Sequence, residues 1–381
     1  MTTSPITAVD WLASRRGEME ALLEAIVNID SPSADPAGTN AVAEVLAEFL
    51  RRPGIAVERI PVAGAGDVLK ATVAGGSGAP VILMGHRDTV FPNGTAAKRP
   101  FTRRGDVATG PGVADMKSGV VSGCFVLAAL AAAGGAPFPV TAIFTADEEV
   151  GSTASHAEIE RTAKGARAVL NLEPGRASGN VVKARKGGAA VEIEIAGKAA
   201  HSGSAPQNGR SAIEALARKI VRLHALTDYE TGITANVGVI AGGTVRNMVA
   251  PWAKAELDLR FVESAQWPDL LARVEAILAA DDVPGTTATW SVGAIFRPLE
   301  EKMSCDLLAR YRTAAASLGF AVDGEFSGGC ADSGFTASLG IPSLCGLGPV
   351  GDHSHTEREY SRLDTLVPRA QAVALTLLSL A

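Results

Sequence analysis

Five short segments of this chain carry side chains that bind metal ions or move protons. His86-Arg87-Asp88 follows the apolar run VILMG (81–85), and Asp147-Glu148-Glu149 follows FPVTAIFTA (138–146). Glu173 follows AVLNL (168–172), and Asp352-His353-Ser354-His355 follows PSLCGL (342–347) through GPVG. Asp115 stands in GPGVADMKSG (110–119), where a loop meets a helix start. The donors are imidazoles and carboxylates without a thiolate, a set that suits Zn²⁺ and also accommodates Mn²⁺ or Co²⁺. Five such ligands, one a shared carboxylate, would hold two ions with an open position. Such a pair polarises a carbonyl and lowers the pKa of a bridging water towards about 7. In His86-x-Asp88, the carboxylate could accept the imidazole's other N–H and fix its tautomer.

Each residue alone has a plainer reading. A histidine at a strand end is usually a satisfied core or surface group, Asp115 an N-cap, and Glu148-Glu149 a solvated helix start. His156 and His224 lie in helix-like stretches without partners, and there the plain reading stands. Four separate strand ends that all present metal-type groups are harder to explain by solvation.

These groups need elements to bring them together. Helical periodicity runs through 9–30 and 38–52, with Trp11, Met19, Leu22, Leu23 and Ile26 on one face. Short apolar runs at 81–85, 138–145, 167–172 and 342–347 read as buried strands, with helical stretches at 116–133 and 363–381. Strands alternating with helices predict an α/β domain with a doubly wound, mostly parallel sheet. In such sheets the site lies outside the carboxyl ends of the strands, where these segments would converge.

The middle of the chain has a different period. In AAVEIEIA (189–196), Val191, Ile193 and Ile195 alternate with Glu192 and Glu194, and WAKAELDLRF (252–261) alternates likewise. One buried and one wet face gives that pattern. With helices at 210–226 and 265–280 the order is β-α-β-β-α-β, an α+β domain. It is expected as an insertion at 184–295, within a catalytic domain formed by 1–183 and 296–381.

The motifs GHRDTVFP (85–92), GPGVADMKSG (110–119), ADEEVGS (146–152), NLEPG (171–175) and HTEREY (355–360) resemble the dinuclear zinc metallopeptidase family. That family includes glutamate carboxypeptidase, acetylornithine deacetylase, succinyl-diaminopimelate desuccinylase and aminoacylase. The match runs in order through most of the chain and is nearest to the folate-cleaving glutamate carboxypeptidase branch. The resemblance implies two zinc ions per subunit, with His86 and Glu173 on one and Glu149 and His355 on the other. Asp115 would bridge them and precede a cis peptide. Asp88 would orient His86, and Glu148 would be the general base that takes a proton from the bridging water and delivers it to the leaving amine. Both His353 and His355 are candidates for the last ligand, each with a glutamate four residues on. The likeness of Glu359-Tyr360 to the family's Glu-Tyr favours His355.

The inserted domain resembles the family's lid and dimerisation domain. GKAAHSGSAPQNGRSA (197–212) matches the segment whose histidine, here His201, stabilises the oxyanion in the partner subunit's site, which implies a homodimer. GGTVRNMVAP (242–251) matches an asparagine-bearing turn, so Asn247 is implied in substrate contact. Arg297, in FRPLE, resembles the position that holds a substrate carboxylate, a task for which guanidinium geometry is suited. Arg260 is either a second substrate contact or a surface ion pair with Asp258. FSGGCADSG (326–334) matches a pocket-lining loop but carries Cys330-Ala331 where relatives often have Gly or Ser and Thr. The expected activity is release of a C-terminal amino acid, glutamate or similar, from an N-acyl conjugate or short peptide. The alternative is an aminoacylase, dipeptidase or aromatic amidohydrolase on the same metal site.

Composition narrows the rest. Among 381 residues, 47% are hydrophobic and 20% charged, enough apolar material for substantial cores. A net charge of −6 argues against a nucleic-acid surface. No GxxxxGK[ST] run supports nucleotide binding. Four cysteines without CxxC spacing fit free thiols in a reducing compartment, and residues 1–20 lack a signal-peptide pattern. The longest apolar stretch, about 120–133, is broken by Ser122 and Gly123, so no membrane span is expected. A cytoplasmic protein is the expectation.

Overall fold

The computed structural model describes residues 5–381, with side chains from Ala8 onward; the first residues of the segment read for a signal peptide lie outside this range. The chain divides into two compact units. The first comprises the chain through Arg185, Leu299–Ser327 and Ala331–Ala381; the second comprises Lys186–Pro298 and Gly328–Cys330.

In the first unit a six-stranded sheet runs Ile55–Ile60, Val68–Val73, Val140–Thr145, Val81–His86, Ala168–Asn171 and Ser343–Leu344. The last four strands are parallel, and the first two form an antiparallel edge. Every residue of Val81–His86 and Val140–Thr145 is buried, as expected of strands covered on both faces. Parallel pairing of Val81–His86 with its two neighbours puts their carboxyl ends on one edge. The segments beginning at His86, Asp147 and Leu172 leave from that edge.

Helix Ser118–Ala132 is buried from Ser118 through Leu130. A Cβ at Gly119 would sit 1.9 Å from the Leu172 carbonyl oxygen, so only glycine lets the helix approach this close to the Glu173 loop. With the turn before it, Val113–Ala132 is long and apolar enough to cross a membrane by length and composition, longer than the sequence reading allowed. It is 94% buried within the protein, as a core helix is.

The helix expected over 9–30 is two helices, Pro5–Ala13 and Arg16–Val27. The break falls at Ser14-Arg15, where the Ser14 hydroxyl bonds back to the Trp11 carbonyl and competes with the helical ladder. A small antiparallel sheet of Thr102–Arg104, Val107–Thr109, Tyr360–Arg362 and Gly351–Asp352 was not foreseen. Its pairing of Thr109 with Tyr360 ties the Asp115 loop to the His355 loop.

The second unit follows the order Gly187–Ala196, Ala212–His224, Thr234–Gly242, Trp252–Phe261, Trp267–Ala279, Thr287–Phe296. Its four strands form one antiparallel sheet, with Thr234–Gly242 and Thr287–Phe296 at the edges. Val191, Ile193 and Ile195 are buried while Glu192 and Glu194 are exposed, as the alternation predicts.

Candidate active site

The sheet edge of the first unit gathers two imidazoles and five carboxylates. His86 ends its strand 1% exposed, and its Nε2 lies 3.1 Å from Asp115 Oδ1, 3.7 Å from Glu173 Oε1 and 3.9 Å from Glu148 Oε2. His355 Nε2 lies 3.4 Å from Asp115 Oδ2 and 3.0 Å from Glu149 Oε2. Asp115 thus presents one oxygen to each histidine. Ligand atoms of His86, Asp115 and Glu149 all fall within 4.8 Å of one another, a spacing that suits metal binding.

His353 goes elsewhere: its ring meets Tyr360 edge-on at 6.0 Å. His355 reaches the cluster from a left-handed backbone, φ 64°.

A surrounding set of groups fixes these side chains. Asp88 is fully buried, with Oδ1 3.4 Å from His86 Nδ1. Its carboxylate accepts from the Ser33 hydroxyl at 2.7 Å and from the Glu148 and Glu149 N–H groups at 3.3 and 3.1 Å. His86 Nδ1 lies closer still to the Asp88 main-chain carbonyl, at 3.1 Å, so Asp88 holds the histidine through backbone and carboxylate together, and the turn Glu148–Val150 through the carboxylate. Glu359 accepts from the N–H groups of Gly112, Ala114 and Asp115 at 3.0, 2.8 and 3.0 Å, shaping the loop that carries Asp115. The Asp115–Met116 peptide within that loop is cis.

Crowded carboxylates and burial set the electrostatics. Burial lifts Glu148 well above the ordinary range, with Glu173 and Asp332 adding to the effect and His86 opposing it. Burial, then Asp115, pushes Glu173 up to about 7. Burial disfavours the charge on His86, but hydrogen bonds to Asp115 and Asp88 outweigh it and hold the imidazolium well above its usual range. Hydrogen bonds to Asp115 and Glu149 raise His355 to about 10. These groups share protons where a cation would otherwise balance the charge, as a set of metal ligands does.

Ser33, Arg87, Arg185, Asp332 and the role of Glu359 escaped sequence reasoning. Arg87 is fully buried and donates to the carbonyls of Thr39, Phe144, Thr145 and Asp67, locking the strand end beneath the site. Its place between His86 and Asp88 was the available signal. Asp332 lies in the loop 326–334 that resembles a pocket lining, and Ser33 carried no signal.

The other predicted residues lie in the second unit. His201 is exposed, and its Nδ1 accepts from the N–H groups of Gly203 and Ser204, both at 3.1 Å. A neutral ring so held carries its proton on Nε2, free to donate. The His201 and Asn247 segments are paired: Ser202 N–H donates to the Asn247 carbonyl at 3.0 Å, and Val249 N–H to Ala200 at 2.9 Å. Arg260 is already engaged. It forms an ion pair with Asp258 at 3.0 and 2.9 Å and donates to Cys330 Sγ at 2.8 Å. Arg297 is half-buried and has no hydrogen bond or ion pair among the described residues.

A family model described as peptidase family M20/M25/M40 matches residues 82–379. Carboxypeptidase G2 of Pseudomonas sp. (strain RS-16) is 29% identical over 372 residues, covering 94% of this chain and 88% of that protein. Acetylornithine deacetylase of Myxococcus xanthus is 35% identical over 222 residues, 52% of this chain and 56% of the relative. Among solved structures, aminopeptidase PepT from Bacillus cereus ATCC 10987 superposes with a TM-score of 0.80 at 22% identity, covering 96% and 98% of the two chains, a likeness of fold.

Proposed function

Since the chain belongs to peptidase family M20/M25/M40 and is a metal-dependent hydrolase of that family, we propose that it uses two zinc ions to release a C-terminal acidic amino acid from an N-acyl conjugate. The observation that carries the metal reading is Asp115, with one carboxylate oxygen toward His86 and the other toward His355. His86 and Glu173 would hold one ion, Glu149 and His355 the other. Zinc bound there would polarise the scissile carbonyl and acidify the attacking water.

The chain's own residues do the rest. Glu148 accepts the water's proton and returns it to the departing nitrogen; burial favours its protonated form, which suits the second half of that exchange. Asp88 keeps His86 oriented. Arg297, a guanidinium without a partner among the described residues, pairs with the free carboxylate of the substrate. His201 donates from Nε2 to the oxyanion, with Asn247 beside it on the paired segment.

The active form in this reading is a homodimer. The sheet edge Thr234–Gly242 supports it, because Val239 and Ile240 are 52% and 63% exposed there, and Val221 on helix Ala212–His224 is 72% exposed.

The test is release of free amino acid from N-acyl glutamate, aspartate, ornithine and neutral conjugates by zinc-loaded protein. Cleavage confined to acidic conjugates is expected, with turnover falling about a hundred- to ten-thousandfold in Glu148→Ala. Full turnover in that variant would overturn the mechanism. Preferred cleavage of neutral conjugates would make the protein an aminoacylase.

A further inference from the structure

Arg185 occupies a position that the catalytic reading does not use. It is 7% exposed at the end of strand Val181–Arg185, the last residue of the first unit before the chain passes into the second. Leu299 is the residue at which the chain returns. The two are joined by a pair of backbone hydrogen bonds, Arg185 N–H to the Leu299 carbonyl at 2.9 Å and the reverse at 3.1 Å. These two crossings are therefore joined at one point, while the short excursion Gly328–Cys330 leaves from Ser327 and returns at Ala331.

The Arg185 side chain turns into the first unit. One terminal nitrogen lies 3.8 Å from Glu173 Oε2, and Nε donates to Cys345 Sγ at 3.1 Å. Glu173 is 6% exposed, and its other oxygen faces His86 Nε2 at 3.7 Å. Cys345 is fully buried and is itself tied to the Arg185 strand, since Val182 and Cys345 exchange backbone bonds at 2.8 and 3.3 Å. At 3.8 Å the guanidinium and the carboxylate form a buried ion pair rather than a hydrogen bond, and that attraction favours the orientation in which the other Glu173 oxygen faces His86.

We propose that Arg185 is a positioning residue that aims Glu173 at its metal ion and ties the ligand to the clamp where the chain crosses between units. The inference rests on the metal site proposed above. Partners that orient a ligand in this way typically contribute about ten- to a hundredfold in metal affinity.

The experiment is zinc binding by competition with a chromophoric chelator, on full-length wild type, Arg185→Lys, Arg185→Gln, Glu173→Gln and the Arg185→Gln/Glu173→Gln double variant. Far-ultraviolet circular dichroism checks folding of each. Wild type should bind two equivalents. Arg185→Gln should weaken one of them by about ten- to a hundredfold and leave the other unchanged, with Arg185→Lys in between. In the Glu173→Gln background, Arg185→Gln should have no further effect on zinc, because its route to the metal is gone. Additive losses in the double variant, or an Arg185→Gln protein that binds both ions as wild type does, would overturn the role of Arg185. Should Arg185→Gln not fold, Arg185→Lys carries the test, and wild-type affinity for both ions in it would overturn the role. A wild type that binds no zinc would instead overturn the metal reading itself.

Discussion

The two units carry their chemistry in opposite ways. At the sheet edge of the first, each group leans on another: Asp115 on both histidines, Asp88 on Ser33 and two backbone N–H groups, Glu359 on three. In the second, His201 and Asn247 stand exposed on paired segments, and Arg297 has no partner among the described residues. The first arrangement suits a resident ion, whose ligands must be in place before it arrives. The second suits a transient substrate, whose carboxylate and developing oxyanion need donors that nothing else has satisfied. If the contrast is functional, substitutions in the two units should fail differently.

The sharpest break is at His201. His201→Ala should lower kcat by about a hundred- to a thousandfold, as loss of one oxyanion donor does, while zinc content and Tm stay as in wild type. Glu148→Ala should lose comparable turnover from the other unit. Mixing the two inactive proteins then tests the proposed dimer. If His201 serves the partner's site, mixed dimers hold one intact site and activity returns. A mixture that stays inactive after subunit exchange would sink that arrangement.

The next contrast is between two arginines of the same unit. Arg297→Gln should raise KM for a carboxylate substrate about ten- to a hundredfold, the size of a lost charged hydrogen bond, with little change in kcat. Arg260 is held by Asp258 and Cys330, so Arg260→Gln should change KM less and reduce Tm more. Equal KM effects would mean that Arg260's ion pair opens for substrate.

What could be read from sequence divides along the same line. The parallel strands announced themselves because burial on both faces leaves unbroken apolar runs that end abruptly in His86, Asp147 and Glu173. Helix and strand alternation in the second unit was equally plain, since its single wet face imposes a period of two. The antiparallel edge Ile55–Ile60 and Val68–Val73 was missed because Glu58, Arg59 and Lys70 interrupt the apolar pattern. The strands that steady His355 are two or three residues long, below the length at which any period is visible. Groups that steady the ligands were the least legible. Ser33 lies 55 residues from Asp88, and Glu359 reaches back more than 240 residues, so only the folded chain relates them.

The smallest effect separates the units by proton rather than by turnover. In metal-free protein, burial is the leading cause that pushes Glu173, Asp332 and Glu359 each up to about 7. The folded state then holds protons that the unfolded chain releases near pH 4 to 4.5, so the stability these groups lend is complete below that range and is lost as pH rises through about 7. His355, raised to about 10, extends the same slope upward from 6.5. Asp88 and Asp115 are held low and act in the opposite sense below about pH 4, and Lys117, pushed down to about 7 by burial, offsets part of the loss above pH 7. Chelated protein should therefore melt several degrees lower at pH 9 than at pH 5. Zinc should flatten the profile, because the cation takes the place of the protons. Glu359→Gln should remove part of the metal-free slope, while Arg297→Gln leaves it intact. A metal-free Tm that rises from pH 5 to pH 9 would mean that the crowded carboxylates do not share protons, and the contrast between a site built around a cation and one open to substrate would fail.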